Sequence, residues 1–254
     1  MDDQALLSLA AALAEQAGDA ILAVRVRGFD VLRKEDASPV TAADHAAEAI
    51  IVRGLRAATP DIPVIAEEEV AAGKVTVPGD QFWLVDPLDG TREFTAGNDE
   101  FAVNVGLVRG ERAFLGVVAV PAMHELFGGI VGLGAWKRAT GGERPIRARV
   151  PPPEGLTVLA SRYHGSQSRL DAFLLGRKVA SVINFGSAVK FCRLAEGVAD
   201  LYPRFGRTME WDTAAPQALL EAAGGSVQTL DGAPLRYGKP GWENPHFVCA
   251  GLAT

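Results

Sequence analysis

The sequence is poor in cysteine and carries no excess of positive charge. Only two cysteines occur among 254 residues, Cys192 and Cys249, and they do not form a CxxC pair. That number is too small for a disulfide scaffold and fits a reducing compartment. The formal net charge of −6 argues against a nucleic-acid partner, because clustered Lys and Arg hold phosphate backbones. These absences favour a cytoplasmic protein.

Long hydrophobic runs are also missing. The longest, Ala113–Met123, is about half of the roughly 20 residues that a membrane span needs. Met1-Asp2-Asp3 provides no basic segment ahead of an apolar stretch, so we expect no secretory signal. The sequence predicts no integral membrane segment, and it leaves open a weak peripheral association with the cytoplasmic face of the inner membrane. It also leaves open a monomer or a homodimer.

Three common catalytic signatures are absent. The sequence contains no HExxH, GxSxG or GxxxxGK[ST] pattern, which argues against a zinc protease, a nucleophile elbow and a P-loop. The four histidines have no zinc-like spacing either: His45, His124, His164 and His246.

Hydrophobic periodicity predicts helices and strands along the whole chain. Apolar residues at helical spacing predict helices over residues 4–24 and from Thr41 to Pro60. Arg109-Gly110-Glu111-Arg112 predicts a hairpin that joins Ala102–Val108 to Ala113–Val120. The other predicted strands are Ile62–Ala66, Phe82–Val85, Leu156–Ala160, Ser181–Asn184 and Asp200–Phe205, and the other predicted helices are Ser187–Glu196 and Thr213–Ala223.

A change in composition suggests two halves. Ala139–Pro153 (ATGGERPIRARVPPP) is rich in Gly, Arg and Pro, which is typical of a connection. We therefore expect an α+β half at residues 1–138 and an α/β half at residues 139–254.

Two acidic residues follow a predicted buried strand. Trp83-Leu84-Val85 runs directly into Asp86-Pro87-Leu88-Asp89-Gly90-Thr91, and ligands gather at the carboxyl ends of strands in α/β proteins. The two carboxylates and the Leu88 carbonyl could converge on one hard cation such as Mg²⁺. A type I turn with Asp as turn former explains the same letters.

Other acids stand at similar positions. Glu67 follows the run Ile62–Ala66, although Glu67-Glu68-Glu69 also fits a solvated loop. Asp212 precedes a predicted helix, where an N-cap is its ordinary role, and Asp44 occupies a capping-box position after Thr41. An inventory of acids without zinc ligands favours Mg²⁺ or Mn²⁺.

Taken together, these motifs resemble the inositol monophosphatase/fructose-1,6-bisphosphatase superfamily, whose members are Mg²⁺-dependent and often lithium-sensitive phosphatases. The resemblance rests on Val64-Ile65-Ala66-Glu67-Glu68, Asp86–Thr91 and Trp211-Asp212, and it extends from Val40 to Gly225. It is closest to the bacterial CysQ branch, the 3'(2'),5'-bisphosphate nucleotidases of sulfur assimilation, through Val189–Gly197, Leu201–Gly206 and Trp211–Ala215. It implies a layered αβαβα sandwich.

The resemblance also implies roles for residues of the site. Two or three Mg²⁺ ions, with Mn²⁺ as a substitute, would be held by Glu67, Asp86, the Leu88 carbonyl, Asp89 and Asp212. Thr91, with Glu67 or Asp44, would orient and deprotonate the attacking water. The substrate would also contact Glu67, Asp89, Asp212 and the N–H groups of Gly90 and Thr91. The first half would thus carry most metal ligands, and the second half the specificity residues.

Four residues of the second half are expected to bind the rest of the substrate: His164, Ser187, Lys190 and Arg204. In inositol-specific relatives a Glu stands in place of Arg204 and accepts hydrogen bonds from ring hydroxyls. A guanidinium is a donor-only group that suits a second phosphate instead. Each of the three charged or ring-bearing residues, taken alone, also fits an ordinary surface position. Ser161-Arg162-Tyr163-His164 resembles the family's SRSH segment. Tyr163 replaces the second Ser, and this change bears on which nucleotide base the protein prefers.

The expected reaction is hydrolysis of adenosine 3',5'-bisphosphate to AMP and phosphate. The alternative enzyme is an inositol-1-phosphate or fructose-1,6-bisphosphate phosphatase. An alternative of another class is a catalytically silent Mg²⁺-dependent binding protein.

Overall fold

A computed structural model describes residues 1–33, 39–162 and 167–252. Two mixed β-sheets and the helices packed on them make up the fold. The described helices are α1 (Asp3–Arg27), α2 (Ala42–Ala58), α3 (Glu67–Ala71), α4 (Thr91–Thr95), α5 (Gln167–Leu174), α6 (Val189–Ala195) and α7 (Glu210–Ala222), with a 3₁₀ turn at Pro121–Met123. The described strands are β1 (Val31–Arg33), β2 (Pro39–Thr41), β3 (Val64–Ala66), β4 (Gln81–Asp89), β5 (Ala102–Arg109), β6 (Arg112–Val120), β7 (Glu125–Ile130), β8 (Gly134–Ala139), β9 (Gly142–Ile146), β10 (Leu156–Ser161), β11 (Val179–Phe185), β12 (Leu201–Arg204), β13 (Ser226–Thr229) and β14 (Phe247–Ala250).

The larger sheet is nearly all antiparallel. Its seven strands follow the chain in the order β3-β4-β5-β6-β7-β8-β9, and only β3 and β4 are parallel. The predicted hairpin is confirmed as β5 and β6, which are joined by Gly110 and Glu111 with φ of 55° and 62°. Two successive residues with positive φ form the turn that matches the twist of a tight hairpin.

The smaller sheet has five strands in the order β11-β10-β12-β14-β13, with β10 parallel to both of its neighbours. A small pair, β1 and β2, precedes α2. The layered arrangement of mixed sheets and helices confirms the predicted fold class.

Helices cover both faces of the larger sheet. Alternate residues of β4 point to opposite sides: Trp83 and Val85 pack with α1 and α2, whereas Phe82 and Leu84 pack with α7. The approach of α7 is so close that a β-carbon at Gly116 would lie 2.0 Å from the Ala215 carbonyl oxygen. Glycine in β6 is therefore required for this helix to lie on the sheet.

The first helix belongs to this core. By length and composition α1 could cross a membrane, but half of its most apolar window is buried inside the protein. Leu6, Ala10, Ala14 and Ile21 lie in the same cluster as the inner face of α2. The apolar character of α1 is thus explained by packing.

The predicted boundary between the two halves differs from the change of sheet. A division after residue 138 falls inside β8, and β9 still belongs to the larger sheet. Gly142, with φ of 96°, helps turn the chain from β8 into β9, so part of the Gly-rich segment is a hairpin turn instead of a connection. The change of sheet lies between Ile146 and Leu156.

Candidate active site

Asp44 makes both a helix-capping contact and a contact with Asp86–Thr91, called here the DPLDGT motif. Its Oδ2 accepts hydrogen bonds from the backbone N–H and the hydroxyl of Thr41, at 2.7 and 2.8 Å, in a capping box at the start of α2. Its Oδ1 lies 3.2 Å from the Thr91 hydroxyl, which is also 3.1 Å from the Leu88 carbonyl oxygen. The ordinary capping role and the position beside Thr91 therefore occur together.

The motif that contains Asp86 and Asp89 forms the carboxyl end of β4. Asp86 is buried, and its Oδ1 accepts a hydrogen bond from the Leu88 N–H at 3.0 Å. A register shift against β5 between Asp86 and Asp89 ends the regular ladder there. Gly90 then precedes α4 with φ of 91°, a backbone conformation that residues other than glycine rarely adopt.

Asp212 stands in the first turn of α7 and faces other acids. The helix begins at Glu210, so Asp212 is not the N-cap; instead its Oδ2 accepts a hydrogen bond from the Met209 N–H at 2.8 Å. Burial, followed by the charges of Asp89 and Glu67, raises the pKa of Asp212 to about 7. Because both residues act on the Asp212 carboxyl, three acids from distant parts of the chain lie in one neighbourhood.

The chemistry of these donors suits Mg²⁺. Among residues 1–33, 39–162 and 167–252, no three carboxylate, imidazole or thiolate side chains form a group at coordination distance. Burial and then repulsion by Asp89 and Glu67 raise the pKa of Asp212, and a divalent cation would relieve this repulsion, because a bound cation is the largest local charge in such a site. Carboxylate and carbonyl oxygens are also the ligands that Mg²⁺ prefers.

Glu67 is the first residue of α3, and contacts with α2 hold this helix in place. The Glu48 carboxylate, on α2, accepts a hydrogen bond from the Glu68 N–H at 2.7 Å. Glu68 is buried, and Glu69 forms an ion pair with Arg56 at 2.6 Å. The solvated-loop interpretation of these glutamates is therefore wrong: the fold holds the segment in a short helix between α2 and β4.

A cleft of about 200 Å³ gathers most of the predicted substrate residues. Its lining includes Asp89, Gly90, Thr91, Ser187, Lys190, Arg204 and Asp212. Asp44, Glu67, Asp86 and Leu88 are not among the lining residues. Asp44 and the Leu88 carbonyl accept from the Thr91 hydroxyl, and the charge of Glu67 acts on Asp212. His164 lies outside the residues that the structure describes.

Two buried cations stand in this cleft, contrary to the surface interpretation of each. Lys190 and Arg204 are 3% and 8% exposed. Burial and the charge of Arg204 lower the pKa of Lys190 to about 8, whereas Asp89 and Glu93 act in the opposite direction. Lys190 Nζ donates to the carbonyl oxygens of Phe185 and Ser187, and Arg204 Nη1 donates to the Ser161 hydroxyl at 2.6 Å.

Two polar atoms of the cleft are buried without a hydrogen-bond partner among the described residues. They are the Ser187 Oγ and the Arg204 Nε. Ser187 also has φ of 53°, which a non-glycine residue adopts at some energetic cost. Unsatisfied polar atoms and local strain are concentrated at functional sites.

Glu93 and Arg162 also line the cleft, and Glu100 forms an ion pair with Arg162. Sequence reasoning gave none of these three residues a role. Glu93 is buried, and burial, with the charge of Asp89, raises its pKa. A β-carbon at Gly186 would lie 2.4 Å from the Glu93 Oε1, so the two residues pack in direct contact. The position of Glu93 two residues after Thr91 in α4 was the available signal.

The sequence matches the profile of the inositol monophosphatase family over residues 2–250. It is 44% identical over 238 residues to the 3'(2'),5'-bisphosphate nucleotidase CysQ of Escherichia coli O6:H1, covering 92% of this chain and 95% of that protein. The fold is similar to the crystal structure of CysQ from Bacteroides thetaiotaomicron, with a TM-score of 0.84, 35% identity and 99% coverage of both chains. It is also similar to the inositol monophosphatase from Anabaena, with a TM-score of 0.77, 27% identity, and coverage of 98% of this chain and 91% of that chain.

Proposed function

Because the chain belongs to the inositol monophosphatase family, we propose that it is a Mg²⁺-dependent phosphatase that hydrolyses adenosine 3',5'-bisphosphate to AMP and phosphate. Similarity to CysQ nucleotidases over most of the chain supports the reaction. The observation that carries the choice of substrate is the pair of neighbouring buried cations, Lys190 and Arg204.

Two adjacent cations in a buried cleft repel each other, and the nearby Asp89 and Glu93 carboxylates do not offset the effect of burial and Arg204 on Lys190. A bound anion would relieve this repulsion. A nucleotide with two phosphates provides that anion twice: one phosphate at the acids for hydrolysis, and one at Lys190 and Arg204. A guanidinium makes charge-assisted and often bidentate bonds to phosphate. The Arg204 Nε, which has no hydrogen-bond partner among the described residues, is one of the available donors. A singly phosphorylated polyol would leave both cations facing neutral hydroxyls.

The metal ligands in this proposal are Glu67, Asp86, the Leu88 carbonyl, Asp89 and Asp212, for two or three Mg²⁺ ions. When bound in such sites, divalent ions activate water and neutralise charge on the leaving oxygen. The like charges of Glu67, Asp89 and Asp212 support this assignment, because they are costly together without a cation.

Thr91 and Asp44 are proposed to orient the attacking water. A hydroxyl has one hydrogen and two acceptor positions, so a Thr91 hydroxyl that donates to Asp44 can still accept a hydrogen bond from water. Asp44 then accepts the proton that Thr91 passes on, while Thr41 holds the carboxylate in place. The contact between Thr91 and Asp44 supports this proposal, in which one side chain would connect the proton acceptor to the attacking water.

A substrate comparison tests the proposal. With Mg²⁺ present, we expect kcat/KM for adenosine 3',5'-bisphosphate to exceed that for inositol 1-phosphate and for fructose 1,6-bisphosphate by at least about tenfold, equivalent to about 1.4 kcal/mol of transition-state binding. A higher value for either sugar phosphate would overturn the choice of substrate. Absence of phosphate release from every substrate would favour the silent binding protein.

Replacement of Arg204 separates substrate binding from the reaction itself. Arg204→Met should weaken hydrolysis of the bisphosphate while it leaves slow hydrolysis of inositol 1-phosphate unchanged. Arg236→Met is the matched control, because Arg236 forms an exposed ion pair with Glu111 away from the cleft. Equal losses on both substrates in Arg204→Met would refute the role of Arg204.

A further inference from the structure

Glu100 connects two loops that form one wall of the cleft. It lies two residues before β5, and its Oε2 accepts a hydrogen bond from the Gly186 N–H at 2.8 Å. The same carboxylate forms an ion pair with Arg162 Nη2, at 2.7 Å to Oε2 and 2.9 Å to Oε1. Gly186 follows β11 and Arg162 follows β10, so Glu100 joins the ends of two adjacent strands of the smaller sheet from the segment that precedes β5 of the larger sheet.

The loop that Glu100 holds is the one that carries Ser187. In the same loop, the Ala188 N–H donates to the Asp89 carboxylate. Glu100 and Asp89 therefore fix the backbone on either side of Ser187, whose left-handed conformation is the least favourable in the loop. A conformation of this kind persists only where surrounding contacts determine it.

Little free space remains around this loop. A β-carbon at Gly90 would lie 3.1 Å from the Ser187 Cβ and 3.2 Å from the Glu100 carbonyl oxygen. Gly90 stands beside Asp89 in the proposed metal site, and Ser187 stands beside Lys190 in the proposed second-phosphate site. A displacement of Glu100 would therefore change the positions of Gly90 and Ser187 on the substrate side of the loop.

We propose that Glu100 is a positioning residue for substrate specificity: its carboxylate orders Arg162 and the Gly186–Ala188 loop so that the cleft binds the part of the substrate that is not hydrolysed. This inference rests on the proposed function of the same cleft. Arg162 is 32% exposed and Glu100 is 17% exposed, so the pair is sheltered from water on the Glu100 side. The hydrogen bond to the Gly186 N–H is charge-assisted, which makes it stronger than a bond between neutral groups.

The test compares Glu100→Ala and Glu100→Gln with Glu143→Gln as control. Glu143 forms an exposed ion pair with Arg138 at 2.9 Å, on β9 and β8. We expect Glu100→Ala to raise KM for adenosine 3',5'-bisphosphate about tenfold with kcat changed less than about twofold, the pattern for lost binding that is equal in ground and transition states. Glu100→Gln keeps an acceptor for the Gly186 N–H and should restore part of the affinity.

A second substrate excludes a general structural effect. For p-nitrophenyl phosphate, which has no second phosphate, kcat/KM should be the same in wild type and all three variants. Equal losses on both substrates, or an unchanged KM for the bisphosphate in both Glu100 variants, would overturn the inference. If Glu100→Ala does not fold, Glu100→Gln alone decides between these outcomes. A wild-type protein that does not hydrolyse the bisphosphate would overturn the proposed function before any variant is compared.

Discussion

The Thr91 hydroxyl lies 3.2 Å from the Asp44 carboxylate, although the two residues come from different helices and are 47 positions apart. Asp44 is held in turn by Thr41 through two hydrogen bonds to its other oxygen. The helix cap thus fixes the orientation of an acid that faces the motif at the end of β4. This is a rigid arrangement, because both partners belong to regular elements.

Removal of the Thr91 hydroxyl should affect catalysis more than binding. Thr91→Val keeps the shape of the side chain but can neither donate to Asp44 nor orient a water molecule. We expect kcat to fall about 100-fold, within the range for loss of a positioned proton-transfer group, and KM to change less than about twofold. Thr95→Val, in the same helix α4, is the control, since the Thr95 hydroxyl donates to the Arg92 carbonyl at 3.1 Å, within its own helix. Similar kcat values in both variants would contradict the role of Thr91.

Asp212→Asn should stabilise the metal-free protein and abolish its activity. Burial and the charges of Asp89 and Glu67 raise the pKa of Asp212 to about 7, above its ordinary value of 3.8. In metal-free protein the folded state therefore holds a proton that the unfolded state has lost between about pH 4 and 7, and its stability falls as pH rises through that window. Asparagine removes this cost, so we expect a gain of roughly 2 kcal/mol at pH 8 in the free energy of unfolding, part of the maximum being lost to screening.

The measurement is urea denaturation of both proteins in chelator at several pH values. The gain of Asp212→Asn should shrink as pH falls from 8 toward 5, because the wild-type carboxyl then becomes protonated too. A variant that is less stable than wild type at pH 8 would show that the acids do not repel one another as described.

Local signals made several elements and site residues predictable. The hairpin of β5 and β6 follows from a short turn between two apolar runs, and the Asp44 cap follows from its distance to Thr41. The residues of the DPLDGT motif lie at the end of β4 because the buried strand and its terminating Pro and Gly are adjacent in sequence. Each of these predictions depended on residues within one contiguous segment.

Contacts between distant segments could not be predicted in this way. Glu100 meets Gly186 across 86 positions, and a single Glu before a strand has no local pattern that indicates such a partner. The three adjacent glutamates at 67–69 looked like a solvated loop because the contacts that stabilise them come from α2, which is distant in sequence. Arg56 forms an ion pair with Glu69, and the Glu48 carboxylate accepts a hydrogen bond from the Glu68 N–H. The hairpin of β8 and β9 was missed because its Gly-rich turn resembles a connection.

The affinity for the substrate should depend on the charge of Lys190. Burial and the nearby Arg204 lower the pKa of Lys190 to about 8, so the free protein loses this cation as pH rises through that value. We expect kcat/KM for the bisphosphate to decline above about pH 8, since this parameter follows ionisation of the free enzyme. Lys190→Arg retains its charge in that range and should remove the decline. An unchanged pH profile in this variant would show that another group titrates.

Glu48 is expected to support the metal site through α3. Glu48→Leu leaves the Glu68 N–H without its acceptor and frees the start of the helix that carries Glu67. We expect this variant to need several-fold more Mg²⁺ for half-maximal thermal stabilisation, in line with the usual effect of removing groups that orient metal ligands. Glu48→Gln keeps an acceptor oxygen and serves as the control. The same Mg²⁺ requirement in both variants would separate Glu48 from the metal site.

The most direct test of the account is phosphate release from adenosine 3',5'-bisphosphate while Mg²⁺ is added to chelator-treated protein. We expect no release without Mg²⁺, saturable release in the wild type, and a rate at least about 100-fold lower in Asp89→Asn at every Mg²⁺ concentration, because that variant loses a proposed metal ligand. Release without any divalent ion, or equal rates in wild type and Asp89→Asn, would contradict the claim that these acids hold the metals for hydrolysis.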